Sequence, residues 1–346
     1  MISRWSRFWF TPSSPVDLGV GRLLFFAGVF VIYAREDVSA WGAVSEAFWL
    51  PLPLFTALHL KPLLPDVLGV LQVVWRVSLL LSAVGLFTRA SMVVASLLGV
   101  YLLGLPHNFG QTYHFDAVLV IAMGILACSK AADAWSIDVL LKGDRGLKCS
   151  GEYTWPIRAI WVAVSLVFFA AGLAKLRYGG LAWITSGNMS ILLTRALYHV
   201  SDADPLTRAG LWIAAHHGLS STVAAAAVAT EVAFPAALVS RRARMVLVPA
   251  AIGMLAAIRL MMGPTFGGFL VVNVFWVPWQ RIVSRAETWV IVRRRAVTTP
   301  ASVDARSLSS HSSHSSLDRH HSMSEWHAED PHTDDITAAR TRGQLL

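Results

Sequence analysis

The chain has 346 residues, 55% of them hydrophobic and 14% charged, with a net charge of +8 and a mean hydropathy of +0.55. Soluble domains carry about 25% charged residues, so composition argues against a soluble globular enzyme and for an all-α polytopic membrane protein. The basic residues sit between apolar runs rather than on one hydrophilic face, which assigns the positive charge to membrane topology and not to nucleic-acid binding.

Taken in chain order, eight apolar runs are predicted to span the membrane: Asp17–Ala34, Leu64–Phe87, Ala90–Leu105, Phe115–Ser129, Trp155–Leu176, Leu219–Ser240, Met245–Met262 and Phe266–Trp279. A span needs about 20 residues, so the third, fourth and eighth are short. Ala47–Leu60 and Leu181–Ala196 are apolar but interrupted, the pattern of interfacial or re-entrant segments. The 14 Trp against 6 Tyr fit interfacial aromatic belts.

With eight spans, the basic segments fall on one side: Arg4 and Arg7, Arg89, Lys130–Lys148, Arg241–Arg244 and Arg281–Arg295. That predicts cytosolic N and C termini. The basic N-terminus lacks a cleavage pattern, so the first span is expected to be retained. Cys128 and Cys149 both fall on the predicted cytosolic side and are expected to stay unbonded. Asn188-Met-Ser190 is a glycosylation sequon in the predicted outer segment. Composition divides the chain into a membrane domain over residues 1–295 and a Ser- and His-rich cytosolic tail over 296–346, too polar to bury its own ordering cost and therefore expected to be disordered.

Ionisable residues inside the spans are functional candidates by default, because charge in hydrocarbon costs a few kcal/mol or more. They are Arg22, Arg76, Asp116, Lys175, Glu231 and Arg259, with His114 at a span edge. Snorkelling or structural ion pairing is the competing reading of each. No P-loop, zinc-protease or dinucleotide motif occurs, and no metal or nucleotide is expected. Topology carries Lys175, His114 and Arg259 toward the outer leaflet. A lysine at the hydrocarbon edge is pushed toward its neutral amine, a base, and a nearby His or Arg would stabilise the oxyanion it creates. The expectation is one cavity shared by Lys175 and His114, with Asp116 and Arg259 as neighbours.

Phe169-Ala-Ala-Gly-Leu-Ala-Lys175-Leu resembles the segment that carries the catalytic lysine in the membrane domain of vitamin K-dependent gamma-carboxylase. Further blocks follow in the same order: Ser14-Pro-Val-Asp-Leu-Gly-Val-Gly-Arg22, Gly85-Leu-Phe-Thr-Arg89, Tyr113-His114, Ala134-Trp-Ser-Ile-Asp138, His216-His217-Gly218, Glu231 and Thr265-Phe-Gly-Gly-Phe. The chain thus resembles the horizontally transferred transmembrane (HTTM) superfamily over about Phe8–Gln280. The resemblance implies Lys175 as the base and His114 as its partner, with Arg259, Glu231 and Arg22 in support, and Asp116 joins them as the neighbour that topology suggests. It also implies a reduced quinone such as vitamin K hydroquinone, or another lipid-like or peptide substrate. Two departures stand out: Arg259 replaces a histidine of the carboxylase pattern, and Ala174 replaces the first lysine of its Lys-Lys pair. A polar tail also stands where the carboxylase carries a large luminal domain, so glutamate carboxylation does not follow. The alternative is a non-enzymatic lipid-binding, transport or assembly factor whose intramembrane charges are structural.

Overall fold

A computed structural model describes residues 2–110, 115–143, 148–195, 205–262 and 266–286. Among these residues the architecture is all-helical, with a single isolated antiparallel bridge between Ser13 and Ser150. The helices in chain order are α1 (Ile2–Phe10), α2 (Pro15–Tyr33), α3 (Pro53–Ala57), α4 (Pro65–Val84), α5 (Thr88–Gly104), α6 (Phe115–Ala127) and α7 (Ile137–Lys142). Then follow α8 (Thr154–Gly179), α9 (Ala182–Thr185), α10 (Asn188–Arg195), α11 (Pro205–Ala215), α12 (His217–Ala233), α13 (Ala236–Val239), α14 (Arg241–Met262) and α15 (Gly267–Val272).

Five helical segments are long and apolar enough to cross a membrane: Pro15–Tyr33, Pro65–Val84, Thr88–Asn108, Gly151–Gly179 and Arg241–Met262. The other three expected spans are also helical but shorter. The fourth is α6, with 13 residues. The sixth is divided at Phe234-Pro235 into α12 and the four-residue α13, because proline cannot donate to the helical ladder. The eighth is α15 followed by a 3-10 turn, Asn273–Trp276. The third, short by sequence, qualifies because a 3-10 turn at Leu105–Asn108 extends α5.

Local signals fix the ends. Ser14 caps α2 by accepting from Val16 N at 3.2 Å, and Pro15 occupies the first helical position. α4 stops at Gly85, which takes the left-handed conformation (φ 75°) and closes the helix by donating from its N–H to Leu81 O at 2.8 Å. A side chain there would also collide with its surroundings, since a Cβ would lie 2.4 Å from Ser136 Cβ and 2.7 Å from Arg22 Nη1.

That contact belongs to a polar clamp. Arg22 on α2 is fully buried. Its Nη1 donates to the carbonyls of Ser82 and Ala83 at the end of α4, and its Nη2 donates to Trp135 O at 2.6 Å. Asp138 completes the junction by accepting from Phe87 N at 3.0 Å, Thr88 N at 2.8 Å and Thr88 Oγ1 at 2.7 Å. Desolvation pushes the Asp138 carboxyl upward, but the three hydrogen bonds outweigh it and hold the group below the usual aspartate range. The blocks Gly85–Arg89 and Ala134–Asp138 are thus two sides of one joint, with Arg22 as its third member.

Around this joint α2, α4, α5 and α6 pack in sequence, and α15 lies against α2 and α6. Phe25, Phe26, Trp75, Leu79, Met92 and Leu102 are sealed inside. The second half packs α8 against α12, and α11 and α13 against α14. Cys128 and Cys149 are free and exposed, as expected.

Candidate functional site

α8, α12 and α14 meet around a hollow. Along α12 the residues facing it are Val223, Ala226, Ala227, Thr230 and Glu231, the three- and four-residue spacing of one helix face. α14 presents Ala250, Gly253, Met254, Ala257, Ile258 and Met261 with the same periodicity, and α8 contributes Val167, Phe168, Ala171 and Lys175. Small side chains on all three helices leave space that larger ones would have filled. Trp183, Met189 and Leu192 from α9 and α10, with Phe266 and Phe269, complete a cavity of about 620 Å³. Pro249 precedes this wall of α14 and cannot donate a helical hydrogen bond to the carbonyl of Met245.

The described lining carries two charged residues, and they meet. Lys175 Nζ donates to Glu231 Oε1 at 2.7 Å and to Oε2 at 2.6 Å. The side chains retain 26% and 10% of their exposure, so the lysine is the more accessible partner. Trp183 places its ring centroid 5.5 Å from Nζ, a cation–π contact that further holds the ammonium. Thr230, the hydroxyl of the described wall, donates to Ala226 O at 2.8 Å, within its own helix.

Gly172 makes the pair geometrically accessible. It is buried one turn before Lys175, and a Cβ there would lie 2.8 Å from Val232 Cγ2, 2.9 Å from Glu231 Cβ and 3.0 Å from Val232 N. Only hydrogen at this position lets α8 approach the segment of α12 that carries Glu231. The lysine segment therefore contains both the cation and the gap that admits its carboxylate.

The other expected neighbours lie elsewhere. Asp116 accepts from the Tyr33 hydroxyl and pairs with His107 Nε2 at 3.2 Å, so its carboxylate serves a separate buried cluster between α2, α6 and the turn after α5. The partner of Lys175 is Glu231 instead. Arg259 is exposed, while its helix neighbours Ala257, Ile258 and Met261 line the cavity. Arg22 is committed to the clamp, and Arg76 donates to Tyr33 O and Glu36 O at the end of α2. His114 and Thr265 lie outside the described residues, as do Asp202, Asp204 and the tail.

Among the described residues, no group of three or more His, Cys, Asp or Glu is placed to hold a metal ion. His216 and His217 start α12, and His216 Nδ1 lies 2.7 Å from Trp212 O. The Lys175–Glu231 contact was not legible from depth along the spans. Glu231 lies fourteen residues past His217, roughly 20 Å at 1.5 Å per residue, whereas Lys175 lies one turn from the end of α8. Contact between them means that α12 starts well beyond the end of α8 or crosses it obliquely.

The HTTM domain profile matches residues 10–275. No curated protein and no solved structure matches the chain. The match extends from the residue before Thr11 in the α1–α2 connection to Phe275 beside the clamp-bearing helix, and so includes the clamp, the cavity and the Lys175–Glu231 pair. This all-helical integral membrane protein belongs to the HTTM domain family.

Proposed function

We propose that the cavity between α8, α12 and α14 binds a lipid-like molecule, with its polar head at Lys175 and Glu231, and that the pair moves a proton on that head. The observation that carries this reading is an apolar space of about 620 Å³ with a single described charge pair in its wall. Such a space fits a long apolar body with one polar end and gives no basis for a nucleotide or a sugar. A reduced quinone, the cofactor suggested by the carboxylase resemblance, fits this donor set and would supply an acidic hydroxyl group.

The residues act as follows. Lys175 Nζ and Glu231 Oε are in direct hydrogen-bond contact, so a proton can pass between them without a relay. Within the pair, the N–H bond of Lys175 breaks as Glu231 Oε takes the proton, leaving an amine at Nζ. Nζ can then accept a proton from the bound head, and the resulting ammonium is already held by Trp183 and the Glu231 carboxyl group. His114, by the same resemblance, would assist the lysine.

Eight spans, with both termini cytosolic and the tail as a separate polar segment, remain the topology that best accounts for the alternating basic loops. Membrane lipids are the expected surroundings, and a peptide is the second substrate class suggested by the carboxylase resemblance.

A second reading rests on the closed geometry of the pair. Two short hydrogen bonds join α8 to α12, as expected of a structural staple in a non-enzymatic lipid-binding protein. Lys175→Arg and Lys175→Met separate the readings. Protein in nanodiscs is mixed with a reduced quinone, and oxygen consumption is followed. A proton-transfer site loses the enhanced consumption with both variants. A staple shows no enhancement in the wild type and retains thermal stability with arginine.

A further inference from the structure

At the opposite end of α8 from Lys175, the first turns of α8 and α14 bring two arginines onto one aromatic platform. Trp161 and Trp276 stack with centroids 4.3 Å apart and planes 10° from parallel. The Arg158 guanidinium lies 4.3 Å from the Trp161 centroid, and Arg244 lies 4.1 Å from the same centroid. Phe8 of α1 lies 5.2 Å from Arg158 on another side. Both guanidiniums thus lie within 4.3 Å of one indole centroid.

The two charges are otherwise uncompensated. None of the ion pairs among the described residues includes Arg158 or Arg244. Glu152, the acidic residue preceding α8, is taken by Lys130 at 2.5 Å. Arg244 spends Nε on Ala237 O at 3.0 Å, capping α13. The described contacts of Arg158 are aromatic, leaving its fork of N–H donors for an outside acceptor. Two neighbouring guanidiniums repel, and an arrangement that holds both on one indole is favourable when an anion completes it. The positive ends of α8 and α14 add to the same field.

We propose that Arg158 and Arg244 form a phosphate-binding site for the headgroup of an anionic membrane lipid. The lipid source is favoured over free phosphate because the platform stands at the ends of two membrane-long helices, beside α1, whose Trp5 and Phe10 remain largely exposed. Fork-shaped donors over a flat aromatic floor suit a phosphodiester, and a zwitterionic headgroup would bring its own cation into a doubly cationic site.

The test is lipid retention by the purified full-length protein, measured by native mass spectrometry with phosphatidylglycerol, phosphatidylcholine or inorganic phosphate added in turn. Phosphatidylglycerol should be retained in preference to the other two, and Arg158→Gln should weaken that retention about fivefold, the effect of one basic residue at an anionic surface. Arg242→Gln, an exposed residue of the same basic segment, should weaken it less. Equal retention of phosphatidylcholine, binding of phosphate as tight as that of lipid, or equal effects of the two substitutions would each overturn the site. The wild-type comparison decides the matter even where Arg158→Gln does not fold.

Discussion

At the joint of α2, α4 and α5, Arg22 and Asp138 end mainly on backbone carbonyls and amides, whereas between α8 and α12 Lys175 and Glu231 end on each other. Arg22 holds three carbonyls and Asp138 holds two amides and a hydroxyl. Lys175 and Glu231 hold one another in the cavity wall, with the Trp183 ring beside the ammonium. Packing differs in the same direction: 44% of the apolar window is buried in the helices beginning at Pro15 and Thr88, against 17% in α14. Backbone partners cannot leave without unravelling a helix end, so the first region is a fixed frame. A side-chain pair can exchange its partner without that cost, which is why the proposed binding site is placed in the second region.

The contrast breaks first at Arg22. Arg22→Met leaves the Ser82, Ala83 and Trp135 carbonyls without their donor and should cost about 3 kcal/mol or more. The expected outcome is loss of monodisperse protein in size-exclusion chromatography, and normal accumulation would remove the frame from the account.

The pair should behave differently. Lys175→Met or Glu231→Gln alone leaves an uncompensated polar group in an apolar wall and should cost about 3 kcal/mol, while the Lys175→Met/Glu231→Leu double variant should recover most of that loss. A thermal double-mutant cycle measures the coupling, and additive losses would show that the pair does not act as a unit.

Gly172→Ala sharpens the same point, because the change touches neither charge. Its Cβ would press on Glu231 Cβ and Val232, separating α8 from α12 at a cost of about 1–3 kcal/mol. Combining it with Lys175→Met should cost less than the sum, since the contact it disturbs is already lost.

These residues also show how far sequence reading reaches. The eight apolar runs all became helices, because hydropathy over a dozen or more residues is a summed signal that local packing does not reverse. Where length was marginal, a proline or a 3-10 turn decided the outcome, as at Pro235 and Leu105–Asn108. Lys175, Glu231 and Arg22 were identifiable as candidates from the cost of burying charge, and the family was legible from ordered short blocks. Which charge meets which was not. Spans were treated as level rods, and the stagger of α12 against α8 depends on Gly172 and the small residues around it. Charges at span ends read as ordinary topology signals, as Arg244 does, so sequence position does not mark the aromatic platform that Arg158 and Arg244 share.

The smallest expected effect concerns pH in the frame. The Asp138 carboxyl is held below its usual range in the folded protein. Its stabilisation is therefore present above the unfolded value of about 3.9 and is lost as pH falls through the lowered folded value. Asp138→Asn should lower the melting temperature slightly at neutral pH and flatten its decline below about pH 4. An unchanged acid limb would remove Asp138 from the joint.

The most direct test of the central claim fills the cavity while sparing the pair. Gly253 lines the cavity, and a Cβ there would meet nothing within 4 Å, so Gly253→Leu should occupy the space without strain. Wild-type protein and Gly253→Leu would be compared for binding of a photoreactive quinone in nanodiscs, with the crosslinked peptides identified by mass spectrometry. The account predicts wild-type labelling on α12 and α14 that falls at least tenfold in Gly253→Leu while the melting temperature holds. Equal labelling of both proteins, or labelling confined to the outer faces of these helices, would contradict it.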